Sequence, residues 1–185
     1  VTHYVESFTP TTYVNPHSGA PGPIVTADGI PFNNPYNASR DASCLPTPEQ
    51  QAAILEATNQ CRSMFVDTPN VTWNDEAAQR AAWWVCSGDW ESRPDVPYWG
   101  YDIGTNFASG PGPLAALVTG WCGEAIFYNY SDPYSPRSSE YSGHFSELVW
   151  KSVKEIGCGV LEYSPGTYVL VCQYLPAGNI LGEYR

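Results

Sequence analysis

The sequence has little positive charge, little histidine and almost no methionine. Its 185 residues include eight Lys and Arg, three His and one Met against 19 Asp and Glu, for a formal net charge of −11. So acidic a chain repels phosphate backbones and anionic lipid headgroups. This balance excludes nucleic acid as a partner, together with electrostatic attachment to an anionic membrane.

Long apolar runs and familiar catalytic motifs are also missing. No stretch approaches the roughly 18 apolar residues of a membrane-spanning helix, so we expect no membrane anchor. The chain has no Gly-x-Ser-x-Gly elbow, no His-Glu-x-x-His and no phosphate-binding glycine loop. It begins without Met and without a signal-like segment, as expected of a mature secreted protein.

Cysteine, by contrast, is present in an even number, and no two cysteines form a Cys-x-x-Cys pair typical of zinc or thioredoxin sites. The six are Cys44, Cys61, Cys86, Cys122, Cys158 and Cys172. Asn37, Asn70 and Asn129 each begin an N-glycosylation acceptor pattern. We therefore expect an extracellular, disulfide-bonded glycoprotein.

The chain divides into an extension and one domain. Residues 1–46 hold seven of the 17 prolines and show no helical or alternating apolar period, so they are predicted to form a Pro-rich N-terminal extension. Residues 47–185 are predicted to form a single domain. Its first helix should start with a capping box over Thr47–Gln50, in which Thr is the N-cap and Gln lies three residues later.

Three or four helical patterns followed by a small antiparallel sheet predict an α+β fold. Apolar periodicity and cap signals indicate helices over residues 48–65, 74–88 and 113–127, with a short helical segment at 144–150. Residues 87–112, rich in Gly, Pro, Asp and Trp, are predicted to be a loop. Two β-rich runs, 156–163 and 168–174, indicate a hairpin.

Two long motifs near the C-terminus resemble a known family. Gly143–Trp150, followed by Gly157-Cys158-Gly159, resembles the first signature of the CAP superfamily, and Val171–Asn179 resembles the second. Asn59 and Arg62 fit its first-helix pattern. The superfamily includes cysteine-rich secretory proteins, antigen 5 and fungal or plant pathogenesis-related class 1 proteins. The resemblance covers roughly residues 48–185 and leaves the extension outside.

This resemblance implies a three-layer α-β-α sandwich with a small antiparallel sheet, in a secreted, monomeric, disulfide-stabilised protein of the pathogenesis-related class 1 kind. Cys158 and Cys172, on adjacent hairpin strands, match a recurrent family pair. The other four cysteines leave three pairings open.

Family members hold a divalent cation in a central cleft between two His and two Glu, and this set is incomplete here. The resemblance assigns one His to His144 and one Glu to Glu124, while Thr105 stands where the second Glu belongs. No His occurs in Cys86–Ser92, where the second His belongs. We therefore expect a remnant cation site that binds a divalent ion weakly at most, with Asp89, Glu91 or Glu147 as further oxygen ligands, and no required cofactor.

A hydrolase is the less favoured alternative for the same residues. His144 would act as base, Glu124 would orient it, and Ser146 or Thr105 would be the nucleophile. Nothing in the sequence marks either hydroxyl as activated. We therefore expect no catalytic residues and no enzyme activity.

An aromatic loop after the third helix carries the favoured function, since the resemblance implies sterol or fatty-acid binding. The loop offers Phe127, Tyr128, Tyr130 and Tyr134 as lipid-binding residues, although Ser135 stands where the family's aromatic spacing has a third ring. The alternative is a protein-interaction, effector or defence-related module without lipid binding. Its unknown protein partner would contact the acidic surface, the extension and the separate loop from Trp90 to Trp99.

Overall fold

The computed structural model describes residues 44–88, 103–135, 141–180 and 182–184. Its helices are α1 (Pro48–Arg62), α2 (Asp75–Ser87), α3 (Leu114–Gly123), followed directly by a 3-10 turn (Glu124–Phe127), and α4 (Gly143–Leu148). Its strands are β1 (Thr72–Trp73), β2 (Gly104–Pro111), β3 (Glu155–Ser164) and β4 (Thr167–Leu175). Most of the predicted extension and the segment 89–102 lie outside the described residues, so the domain boundary at residue 46 stays a prediction.

The helix ends follow from local side-chain chemistry. The Thr47 hydroxyl accepts the Gln50 N–H at 3.3 Å and the Gln50 carbonyl oxygen accepts the Thr47 N–H at 2.9 Å, which confirms the capping box. At the start of α2 the Asn74 side chain accepts the Ala77 N–H at 2.9 Å. Gly88, with φ of +74°, ends α2 in the left-handed region that glycine tolerates.

The four strands form one mixed sheet in the order β1-β3-β4-β2. The predicted β3–β4 hairpin is confirmed, and β2 pairs antiparallel with β4. The two-residue β1 runs parallel to β3, so the sheet is not wholly antiparallel. The predicted loop over 87–112 is wrong at its C-terminal half, because Gly104–Pro111 is a strand; only Thr105 and Phe107 favour strand there, and pairing with β4 decides the conformation.

Helices cover both faces of the sheet, as the predicted sandwich requires. Side chains alternate along β4, so that Leu170 and Tyr174 face α1, α3 and α4 while Val169 and Val171 face α2. Helix α2 lies directly on β3. A Cβ at Gly157 would lie 2.2 Å from the Ala78 nitrogen, so this position of the first signature motif needs glycine to let the helix approach.

Three disulfides tie these layers together. The predicted Cys158–Cys172 pair is confirmed and joins β3 to β4, with Cα atoms 4.1 Å apart. Of the three pairings open to the remaining cysteines, the structure has Cys44–Cys86 and Cys61–Cys122. The first fastens the end of the extension to α2, and the second fastens the end of α1 to the end of α3.

None of the helices in the described part of the chain has the length and apolarity needed to cross a membrane. Two of the three N-glycosylation acceptors, Asn70 and Asn129, lie exposed on the surface, and Asn37 lies outside the described residues. Glycan attachment therefore stays a prediction.

Candidate functional site

A cleft of about 550 Å³ opens beside the N-terminus of α4. Strand β2, the 3-10 turn and the segment after β4 contribute its other walls. The residues that line it are Thr105, Asn106, Glu124, Phe127, Tyr141, Gly143, His144 and Asn179. The sequence-predicted residues Glu124 and His144 therefore share one cleft with Thr105.

Glu124 and His144 are in direct contact. The His144 Nδ1 lies 2.7 Å from Glu124 Oε1, while the backbone N–H groups of His144 and Phe145 donate to Glu124 Oε2, both at 3.1 Å. A carboxylate at a helix N-terminus satisfies otherwise unpaired N–H groups and opposes the positive end of the helix dipole. Glu124 therefore caps α4 and orients the imidazole in the same contact.

Two asparagines hold the same helix from other sides. Asn106 donates through Nδ2 to the His144 carbonyl at 2.9 Å and to the Tyr174 hydroxyl at 3.1 Å. Asn179 donates to the Gly143 carbonyl at 2.9 Å and accepts from the Ser146 hydroxyl at 2.6 Å. The sequence predicted a role for neither asparagine; the only signal was that Asn106 follows Thr105 directly and Asn179 ends the second signature.

Glu147 lies behind the cleft instead of lining it. Its side chain is buried, and its Oε1 accepts the Gly178 N–H at 2.8 Å. A Cβ at Gly104 would come within 1.8 Å of the same oxygen, so the glycine leaves room for the carboxylate. Burial, with the nearby Glu147 charge, raises the pKa of Tyr174 far above its usual value. Glu147 is thus engaged in packing β2 against the segment after β4.

The described residues do not fit the four-ligand cation set that the family resemblance implies. Within residues 44–88, 103–135, 141–180 and 182–184, no group of three or more His, Cys, Asp or Glu could hold a metal ion. Glu124 Oε2 is engaged in capping α4, and Glu124 Oε1 is engaged with His144 Nδ1. Thr105 offers only a hydroxyl, and Asp89 and Glu91 lie outside the described residues.

The hydrolase alternative also loses one of its two nucleophiles. Ser146 is buried in α4, where its hydroxyl contacts the Ser142 and Gly143 carbonyls and Asn179 Oδ1. These bonds hold the hydroxyl on its own helix. Thr105 alone of the two predicted hydroxyls lines the cleft.

The C-terminal end of α4 is fastened by a buried arginine. Arg62 is 0% exposed and donates to the carbonyls of Pro69, Leu148, Trp150 and Val153 at 2.8 to 3.2 Å. Burial lowers the pKa of its guanidinium to about 10, which leaves it charged at neutral pH. Asn59, the other first-helix motif residue, exchanges two hydrogen bonds with the backbone of Val71.

The aromatic loop lies against α4 as a series of ring contacts. The Phe65 ring packs on Phe145 at 5.1 Å, Phe145 on Tyr128 at 5.4 Å, and Tyr128 on Tyr130 at 4.9 Å between centroids. Tyr130, at the outer end, is 66% exposed. The four predicted lipid-binding residues therefore include two exposed rings, Tyr130 and Tyr134, of which Tyr130 is the more exposed.

The remaining predicted rings extend this surface in two directions. Phe127 lines the cleft and packs on Tyr141 at 6.0 Å. Tyr134 packs on Tyr184 at 5.1 Å, and Tyr184 packs on Trp150 at 5.0 Å. Burial, followed by nearby Tyr128 and Glu147, raises the pKa of Tyr184 to about 12. At neutral pH this hydroxyl is a neutral donor and acceptor.

Comparison with known proteins agrees with this arrangement. The family model described as the cysteine-rich secretory protein family (CAP) matches residues 55–174. Protein PRY2 of Saccharomyces cerevisiae is 34% identical over 134 residues, covering 71% of this chain but only 39% of the yeast protein. Venom allergen 5 of Polistes fuscatus is 31% identical over 165 residues, covering 75% of this chain and 79% of the allergen.

Solved structures share the fold. Schistosoma mansoni venom allergen-like protein 4 superposes with a TM-score of 0.60 at 22% identity, over 71% of this chain and 90% of that one. The matched family model covers more than half of the chain, including Glu124 and His144. The chain belongs to the cysteine-rich secretory protein family, within the CAP superfamily.

Proposed function

We propose that this protein is a secreted, non-enzymatic CAP protein that binds a sterol or another small lipid through its aromatic loop. The observation that carries the proposal is Tyr130, which is 66% exposed although its ring continues the packed series of Tyr128 and Phe145. A large ring left open at the end of an ordered series offers a preformed apolar wall. Binding to such a wall costs little further ordering of the protein.

Polar groups at the edge of this wall suit a lipid with one hydroxyl or ester. Tyr rings combine an apolar face with a polar end, which matches a mostly apolar ligand that carries few oxygen atoms. Phe127 connects the wall to the cleft, where Asn179 and Thr105 provide polar groups. The family resemblance supports the same ligand class.

The cleft is proposed to act as structure and not as a cation or catalytic site. Glu124 uses both oxygens to hold α4, and its partner His144 uses Nδ1 in the same contact. Three disulfides agree with an oxidising, extracellular compartment. Binding should therefore need neither a divalent ion nor the ionised Glu124 side chain.

The test is a titration of purified protein with a fluorescent sterol analogue dispersed below its micelle concentration. Tyr130→Ala should weaken binding about tenfold, since an aromatic contact contributes roughly 0.5–1.5 kcal/mol beyond its buried area. Tyr163→Ala is the matched control, because Tyr163 is an exposed tyrosine on the distant end of β3. A chelator should leave both curves unchanged.

Two results would contradict the proposal. Saturable binding could be absent from the unaltered protein, which would leave the protein-interaction alternative. Equal weakening by the Tyr130 and Tyr163 substitutions would remove the aromatic loop as the site.

A further inference from the structure

Two apolar segments leave the core from a single covalent point. The Cys61–Cys122 disulfide holds the ends of α1 and α3 together, with Cα atoms 6.1 Å apart. Met64 follows Cys61 by three residues and Ile126 follows Cys122 by four. Phe145 lies between the two segments, because Phe65 packs on it at 5.1 Å and Tyr128 at 5.4 Å.

Both segments expose their large apolar side chains. Met64 is 66% exposed, Val66 80%, Ile126 78% and Tyr130 66%. We call these four residues the apolar rim. Neither Ser63–Val66 nor Ala125–Tyr130 contains a charged residue, although the chain as a whole carries 27 Lys, Arg, Asp and Glu. A surface that groups exposed apolar side chains without charge marks an interaction site.

The net charge of the protein limits the class of partner that the apolar rim can bind. With a net charge of −11, the chain is repelled by anionic lipid headgroups and by a second copy of itself. The rim has no charged group to pair with a charged partner. A neutral, zwitterionic lipid surface fits both conditions, because short apolar side chains can enter the headgroup region without an ionic contact.

We infer that the apolar rim docks this protein onto a neutral, zwitterionic lipid surface. The inference rests on the proposed function for its purpose, which is to bring the aromatic loop to the membrane from which a small lipid is taken. Tyr130 belongs both to the rim and to the lipid-binding wall. The docked orientation therefore directs that wall at the bilayer.

The experiment is flotation of the full chain with sterol-free phosphatidylcholine vesicles. Met64→Ser/Ile126→Ser removes two rim side chains that lie outside the lipid-binding wall, and Met64→Leu/Ile126→Leu keeps their apolar area. The unaltered protein and the Leu variant should float with the vesicles, whereas the Ser variant should partition at least about tenfold less. Vesicles of phosphatidylcholine mixed with phosphatidylserine should recruit less protein at low salt, and added salt should restore recruitment.

Three outcomes would overturn the inference. The unaltered protein could stay unbound to phosphatidylcholine, or the Ser variant could float as well as the Leu variant. Alternatively, sedimentation could show a dimer that the Ser variant dissociates, in which case a second copy covers the rim. Binding of soluble sterol is measured without vesicles, so docking can fail while the proposed function stands, and the reverse result is equally visible.

Discussion

Helix α4 contacts two regions, the cleft and the aromatic loop, whose side chains are used in different ways. In the cleft, Glu124, Asn106 and Asn179 all bond to the backbone of the first turn of α4. In the aromatic loop and the turn before it, the side chains of Tyr130 and Ile126 are mostly exposed and make no hydrogen bond among the described contacts. The three cleft residues therefore have a role in the fold itself, whereas the exposure of Tyr130 and Ile126 has no such structural explanation.

The cleft residues that match the family motifs thus have structural contacts of their own. Glu124 and His144 remain because they hold the start of α4, and Gly104 and Asn106 remain on either side of the altered position because they accommodate Glu147 and bond to His144. Thr105, where the family has Glu, makes no such bond to α4 among the described contacts. The second position where the resemblance expects a ligand and the chain has none, within Cys86–Ser92, lies largely outside the described residues.

The largest effect should follow loss of the buried arginine that holds the end of α4. Arg62→Met would remove the guanidinium from four carbonyls, and the buried carbonyls of Leu148 and Val153 would lose a donor, at about 1–3 kcal/mol for each unsatisfied group. We expect the free energy of unfolding to fall by roughly 3 kcal/mol or more in urea titrations. Lys151→Met, at an exposed position, is the control and should change the free energy of unfolding little. Equal losses in the two variants would contradict the structural role of Arg62.

A smaller loss should follow Glu124→Gln at the start of the helix. The amide keeps one oxygen but replaces the other with a donor, which faces backbone N–H groups or the imidazole. We expect a loss of about 1–2 kcal/mol in stability with unchanged sterol binding. Glu183→Gln, on an exposed acid, should be neutral. Full stability of the Glu124 variant would mean that the carboxylate is not retained for capping.

The smallest effect on the free energy of unfolding should appear at alkaline pH and should come from Tyr184. The folded pKa of Tyr184 is about 12, above the unfolded value of about 10, so its contribution to stability is complete below pH 10 and is lost as pH rises towards 12. Because the ring is partly exposed, the loss at pH 11 should be only a few tenths of a kcal/mol. Tyr184→Phe should flatten this slope in urea midpoints measured between pH 9 and 11. An unchanged slope would place the alkaline sensitivity elsewhere.

Local signals predicted the elements that local chemistry decides. The capping box at Thr47, the N-cap at Asn74, the stop at Gly88 and the β3–β4 hairpin were all available from neighbouring residues. Strand β2 was not, because Gly104–Pro111 becomes a strand through pairing with a segment some 60 residues later. The two remaining disulfides depend on the same kind of long-range placement.

The candidate site divides in the same manner. Family motifs alone assign Glu124 and His144 to one cleft, and their 2.7 Å contact agrees with that pairing. The motifs could not tell that the contact caps a helix, because that role needs the backbone N–H groups of His144 and Phe145 in place. Nor could they reveal that the segments that carry Met64 and Ile126 follow the two ends of one disulfide, since the Cys61–Cys122 pairing was open.

The most direct test of sterol binding by the aromatic loop compares this loop with the cleft in one sterol titration. Tyr130→Ala and Glu124→Gln are measured beside the unaltered protein, with and without a chelator. We predict that the Tyr130 variant binds sterol roughly tenfold more weakly than the unaltered protein. The Glu124 variant should bind as well as the unaltered protein, with or without the chelator. Loss of binding in the Glu124 variant or in chelator, with the Tyr130 variant unaffected, would assign the function to the cleft and contradict the account.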